Sequence, residues 1–314
     1  MRIEFILILS FLSSPVLASK RDLPEEKKSV ELIPQHVVSS LLSRYNEAET
    51  KLINADLELI RLLAFRDKQA VSGGKNPSYI GTAGGPLSRK STILEKVLEE
   101  KPIYNNYVYL DPDQRGLKFM ANTYIARSLS NLEIFKAQSL LDVRRNAYLH
   151  WRDASNYITN TLINEAYDKK FNIAHGTTLT GAVSTFFLKK LKERGYEITL
   201  LLSFASDSFR KEALEFRNDK QGFYQSTPSD FIEKANLFSE RMKDYFEFAD
   251  HIDLYWTEKM GDPIKIAASW NRGKKIKIED KMSYGKIVNY YTKYQVANPE
   301  LQKWEALLQT SEKK

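Results

Sequence analysis

A short apolar segment, Ser78 to Thr82, runs straight into the loop Ala83-Gly84-Gly85-Pro86-Leu87-Ser88-Arg89-Lys90, and from there into a stretch of helical composition, Ser91 to Glu100. Strand, tight loop and helix in immediate succession leave few folds open. A strand that hands over to a helix in this way belongs to a parallel sheet with helical crossovers. The loop narrows the choice further. In the pattern G-x-x-x-x-G-K-[S/T], backbone N–H groups cradle phosphates, the lysine reaches the β- and γ-phosphates, and the hydroxyl holds Mg²⁺. Gly84, Lys90 and Ser91 stand at that spacing, with Arg89 in the place of the second glycine.

The rest of the chain repeats the alternation. A second strand, Tyr107 to Leu110, ends in Asp111-Pro112-Asp113, and helical pattern runs from about Ser139 to Lys169. A third strand, Phe171 to Ala174, leads into His175-Gly176-Thr177-Thr178. A helix from Val183 to Arg194, stopped by Gly195, is followed by an apolar strand, Glu197 to Phe204. Helices are expected at Ser206 to Arg217 and Pro228 to Phe248, and a strand at His251 to Trp256. Nearly all-apolar strands alternating with helices predict a parallel sheet covered on both faces, with ligands at the carboxyl ends of its strands. The three polar motifs all fall at such ends. Ahead of the sheet, Val37, Leu41, Tyr45, Ala48, Leu52, Leu59 and Leu63 recur at helical spacing, which predicts one long helix or a helical hairpin over one face of the core. The tyrosines between Ser283 and Tyr294 stand at mixed spacing and read as surface residues.

Bulk properties exclude more than they select. The 314 residues supply enough apolar material for a core, and 42% hydrophobic with 28% charged residues is a globular composition. A net charge of +7 suits a polyphosphate ligand, but the basic residues are interleaved with acidic ones, so nucleic acid is not an expected partner. The chain has no cysteine, so no disulfide staples it. Arg2, the apolar run Phe5 to Leu12 and the Val16-Leu17-Ala18 ending have the layout of a secretory signal peptide cut after Ala18, which predicts a secreted or periplasmic protein. No later apolar run reaches membrane-spanning length, so no stable anchor is expected after cleavage.

Taken in order, these motifs resemble the zeta-toxin family of P-loop kinases. The resemblance is carried by the loop Gly84 to Thr92, the Asp111-Pro112-Asp113 turn, Gly176-Thr177-Thr178-Leu179, Gly195-Tyr196-Glu197-Ile198, Arg210 with Arg217 ahead of Gly222, and Ala249-Asp250 with Tyr255. It extends from about Tyr79 to Asp280. It implies an α/β, P-loop kinase-like parallel sheet with helices on both faces, preceded by an extra N-terminal helical segment. The domains implied are a signal peptide (1–18), a leader and helical segment (19–75), the kinase domain (76–282) and a C-terminal helical tail (283–314). It also implies transfer of the γ-phosphate of ATP, with Mg²⁺, to a hydroxyl of a nucleotide sugar such as UDP-N-acetylglucosamine. By that resemblance Gly84, Gly85, Arg89, Lys90, Ser91 and Thr92 surround the nucleotide phosphates, and Ser91 holds the metal. Asp113 is the general base, Arg210 and Arg217 lie on a lid over the transferring phosphoryl group, and Asp111, Thr177 and Thr178 line the substrate side.

These roles agree with the chemistry, because phosphoryl transfer needs positioning, a metal, positive charge and a base beside the attacking hydroxyl. The sequence also departs from the family. Leu87 and Arg89 stand where glycine is usual, and His175 where a carboxylate is usual. Arg89 either assists the phosphates or fills their cradle. The alternative function is therefore a catalytically inactive member of the fold that binds a ligand or a protein partner.

Overall fold

The computed structural model describes residues 31–126, 140–181, 183–217 and 228–294. The expected signal peptide and leader, the loop containing Gly222 and residues 295–314 lie outside the described residues. Among the described residues, no helix is long and apolar enough to cross a membrane.

Seven strands form one sheet. Five are parallel, in the order β2 (Tyr107–Leu110), β3 (Asn172–His175), β1 (Ser78–Ala83), β4 (Glu197–Ala205), β5 (His251–Thr257). Two further strands, β6 (Ile266–Asn271) and β7 (Lys277–Ile278), continue the sheet in antiparallel fashion. The sequence pattern missed both. A two-residue strand such as β7 carries no periodicity to read.

Alternation along the strands sorts the core into two layers. Tyr79, Leu200, Leu202 and Ile252 point into the larger one, while Ile80, Leu201 and Tyr255 point into the smaller one, beneath Ile93 and Leu94 of α3 (Lys90–Glu100). The larger layer is covered by α4 (Leu140–Asp168), α5 (Ser184–Glu193), α7 (Pro228–Glu240), α8 (Met242–Phe248) and α9 (Lys281–Tyr294). On the carboxyl side of β4, Ser206 caps α6 (Asp207–Phe216) by accepting from the Phe209 N–H. The expected single helix over 228–248 is two, broken at Arg241.

The N-terminal region is a short helix, α1 (Gln35–Ser40), then α2 (Glu47–Phe65), which is the hairpin alternative rather than one long helix. A capping box starts α2: Asn46 Oδ1 accepts from the Glu49 N–H and Glu49 Oε2 from the Asn46 N–H. The expected apolar seam is rotated. Ile53, Leu57 and Ile60 are buried with Asp56, whereas Leu52, Leu59 and Leu63 are exposed. The polar residue decides the rotation, because Asp56 caps the chain at Asn122 and Thr123, accepting from the Asn122 N–H and the Thr123 hydroxyl. The C-terminal tyrosines also differ from expectation. Tyr284, Tyr290 and Tyr291 are buried with Ile287, so α9 is a core helix.

Candidate active site

The carboxyl ends of β1, β2 and β3 open into a cavity of about 560 Å³. Residues 86–92 line one side of it, with Asp111 to Asp113 and His175 to Leu179 beside them. The other side is formed by Tyr148, Arg152, Asn156, Thr159 and Asn160 of α4, together with Ile33 and Val37 near α1.

Gly84 turns the chain out of β1 at φ 148°, and a β-carbon there would stand 2.4 Å from the Ser203 carbonyl oxygen. Only glycine fits that approach. Its N–H donates to the Thr178 carbonyl at 3.2 Å, which joins the loop to the segment after β3. Leu87 (φ 61°) and Arg89 (φ 66°) both adopt the left-handed conformation. The glycines missing from the sequence pattern are therefore missing where the backbone still takes a glycine-like shape, at a cost of about 1–2 kcal/mol each. At Arg89 a compensation is visible: its guanidinium donates to the Asp262 carbonyl at 2.6 Å. A charge-assisted hydrogen bond of this kind contributes about 1.5–3 kcal/mol. Its guanidinium is thus directed to the Asp262 carbonyl, while the residue still lines the cavity.

Lys90 folds its ammonium onto the Gly85 carbonyl at 2.5 Å. Burial, with Arg217 and Arg210 nearby, lowers its pKa to about 7. Ser91 donates to Asp111 Oδ2 at 3.2 Å. The other oxygen of Asp111 accepts the N–H groups of Asp113 and Gln114, both at 2.8 Å. Burial, followed by the charge of Asp113, raises the Asp111 pKa to about 6. Gly176 makes room for this carboxylate, since a β-carbon there would fall 2.0 Å from Asp111 Oδ2. Asp113 is held by Arg152, an ion pair from α4 that sequence reasoning missed. No local motif marks Arg152, because only the folded chain brings it to the Asp113 turn.

Arg217 and Arg210 part company. Arg217 lines the cavity, where burial lowers its pKa against the pull of Asp113 and Asp111. Arg210, 1% exposed, lies beneath the loop instead of over it. Its guanidinium donates to the Pro86 carbonyl at 3.1 Å and to the Tyr290 hydroxyl at 3.2 Å. Two turns of helix put both on one face, but the face dips under the loop at one end and reaches the cavity at the other. Thr177 and Thr178 line the cavity, and the Thr177 main chain exchanges hydrogen bonds with the Thr82 hydroxyl. His175 is buried, with its Nδ1 3.0 Å from the Tyr79 hydroxyl and its ring against Phe187. Burial lowers its pKa to about 3, so the residue that replaces a carboxylate stands uncharged at the cavity wall.

The donors suit Mg²⁺. A hard ion takes oxygen ligands and is held by one or two side chains together with substrate phosphates and water, and Ser91 and Asp111 supply such oxygens. Among the described residues, no cluster of three His, Cys, Asp or Glu exists to hold a metal without a phosphate partner.

A parallel sheet of order 2-3-1-4-5, with a glycine-turned loop, lysine and hydroxyl at the amino end of a helix, defines a P-loop kinase-like protein. Residues 63–247 match the zeta toxin family model, more than half of the chain, and the chain belongs to that family. Comparison with curated proteins returns no matching sequence. Among solved structures, a chain of the AvrRxo1-ORF1:AvrRxo1-ORF2 complex is similar at 12% identity, over 88% of this chain and 89% of that one, with a TM-score of 0.55. The complex solved with ATP gives 12% identity, 88% coverage of each chain and a TM-score of 0.55. A chain from the PezAT chromosomal toxin–antitoxin system of Streptococcus pneumoniae aligns at 14% identity over 82% of this chain and 98% of that one, with a TM-score of 0.49. At these identities the likeness is one of fold.

Proposed function

We propose that this protein is an ATP- and Mg²⁺-dependent phosphotransferase acting on a hydroxyl of a nucleotide sugar, UDP-N-acetylglucosamine being the first to test, and that it is exported through the segment 1–18. The observation that supports this reading best is the meeting of Lys90, Ser91, Asp111, Asp113, Arg152 and Arg217 around one cavity. ATP supplies the phosphoryl group. Lys90 and the N–H groups of the loop hold its phosphates, and Ser91 with Asp111 faces the metal. Asp113, oriented by Arg152, takes the proton of the acceptor hydroxyl as that oxygen bonds to the γ-phosphorus and the bond to the ADP oxygen breaks. Arg217 neutralises charge spreading over the transferring group. Arg210 acts beneath the loop, by holding Pro86 in place.

The test is Mg²⁺-dependent ATP consumption across a panel of nucleotide sugars by protein lacking residues 1–18. Phosphorylated acceptor is expected with wild type and not with Lys90→Ala; folded wild type that turns over none of the panel overturns the reading. The second reading, a non-catalytic member that binds a ligand or protein, draws on the left-handed Leu87 and Arg89. ATP and Mg²⁺ ordered on Lys90 and Ser91 in a soaked crystal would count against it.

A further inference from the structure

Arg89, the left-handed residue that precedes α3, and Lys96 within α3 reach the same turn: Lys96 donates to the Ile264 carbonyl at 3.1 Å, while Arg89 donates to that of Asp262. Both carbonyls belong to the turn between β5 and β6. This turn has its own internal frame: one oxygen of the Asp262 carboxylate accepts the N–H groups of Glu258 and Lys259, at 3.2 and 2.7 Å. Its start is fixed to the sheet side, where the Ser206 hydroxyl donates to the Glu258 carbonyl at 3.0 Å and Lys286 pairs with the Glu258 carboxylate at 2.8 Å. Its far half is joined to α3 by the Arg89 and Lys96 bonds. Glycine at 89 would free the loop of strain but reach nothing.

We propose that Arg89 is a positioning residue that ties the phosphate loop to the β5–β6 turn, so that a ligand seated on the loop also holds residues 258–264 in place. The ligand half of this inference rests on the ATP binding proposed above; the tether itself does not.

Amide hydrogen exchange on the full chain tests both. Without nucleotide, the amides of Glu258, Lys259 and Asp262 are expected to exchange about 10- to 100-fold faster in Arg89→Gly and in Arg89→Ala than in wild type, the scale set by losing one charge-assisted hydrogen bond. Arg89→Ala keeps the β-carbon and its strain, so agreement between the two variants assigns the effect to the lost tether. With ATP and Mg²⁺, wild type is expected to slow at both 84–92 and 258–264, and the variants at 84–92 only. Unchanged exchange at Glu258, Lys259 and Asp262 in both variants overturns the tether. Slowing at 258–264 that persists in the variants overturns its transmission of ligand binding. A wild type that slows nowhere with ATP removes the ligand half together with the proposed function, and the nucleotide-free comparison still decides the tether.

Discussion

The two ends of the cavity are built in opposite ways. The phosphate end is one continuous stretch, residues 84–92, shaped by local backbone geometry and by the start of α3. The far end is assembled from segments more than a hundred residues apart: α4 supplies Arg152, Asn156 and Asn160, and the chain before α2 supplies Ile33 and Val37. Asn164 clamps the latter by accepting the Ile33 N–H and donating to the Ile33 carbonyl, each at 2.8 Å. A continuous stretch can be read as a motif. An assembly of distant side chains, such as Arg152 on Asp113, exists only after folding.

Substitutions that separate binding from transfer sharpen this contrast most. Asp113→Asn is expected to cost about 10²–10⁴-fold in turnover, the range for a lost general base, with ATP affinity unchanged in a titration. Lys90→Ala is expected to lose turnover and ATP affinity together; equal loss of affinity in both variants would erase the division between the two ends. Next in size is Gly176→Ala, whose β-carbon collides with the Asp111 carboxylate. A loss of about 1–3 kcal/mol in stability is expected from denaturant unfolding, as for an overpacked core site.

Acid titration gives a smaller effect. Asp111 binds its proton more tightly folded, at about 6, than at its ordinary 3.8. Between those values the folded state carries the extra proton, so this residue makes stability fall as pH rises from about 4 to about 6. Asp111→Asn should remove that slope from a series of unfolding curves. Lys90 gives the opposite limb: folded it releases its proton at about 7 instead of 10.5, so its contribution to nucleotide-free stability rises with pH between those values. Over the same range its ammonium is lost, and ATP affinity should fall as pH is raised; an affinity flat from pH 6 to 9 would place the phosphate grip elsewhere. The smallest effect is at the far wall, where Val37→Ala should leave ATP affinity within about twofold, since surface substitutions away from a binding group cost about 0.5 kcal/mol or less and this one leaves residues 84–92 intact.

The order of strands and helices was legible because apolar runs and breakers announce β1 to β5 and the helices between them. The phosphate loop was legible despite two lost glycines because Gly84, Lys90 and Ser91 kept their spacing. What stayed hidden has a physical reason in each case. The face of α2 was misassigned because leucines count equally in a periodic pattern, and the buried Asp56 that sets the rotation counts against it. The tyrosines of α9 read as surface because they stand at mixed spacing, and their burial depends on contacts such as that of the Tyr290 hydroxyl with Arg210, which form only in the folded chain. Arg210 and Arg217 share a helical face in the sequence, but which stretch of that face lies under the loop depends on how α6 leaves β4.

The Asn164 clamp on Ile33 lies half outside the stretch that defines the family. Ile33 precedes residue 63, where the family match begins, and Asn164 falls within it. The outline of the cavity is thus partly set by an appended piece of chain that shares no residue with the phosphate loop. That piece is not detachable trim: Leu32, Ile33 and Val38 are buried in the main core, so a change within residues 31–40 reaches the layer that carries the sheet as well as the far wall.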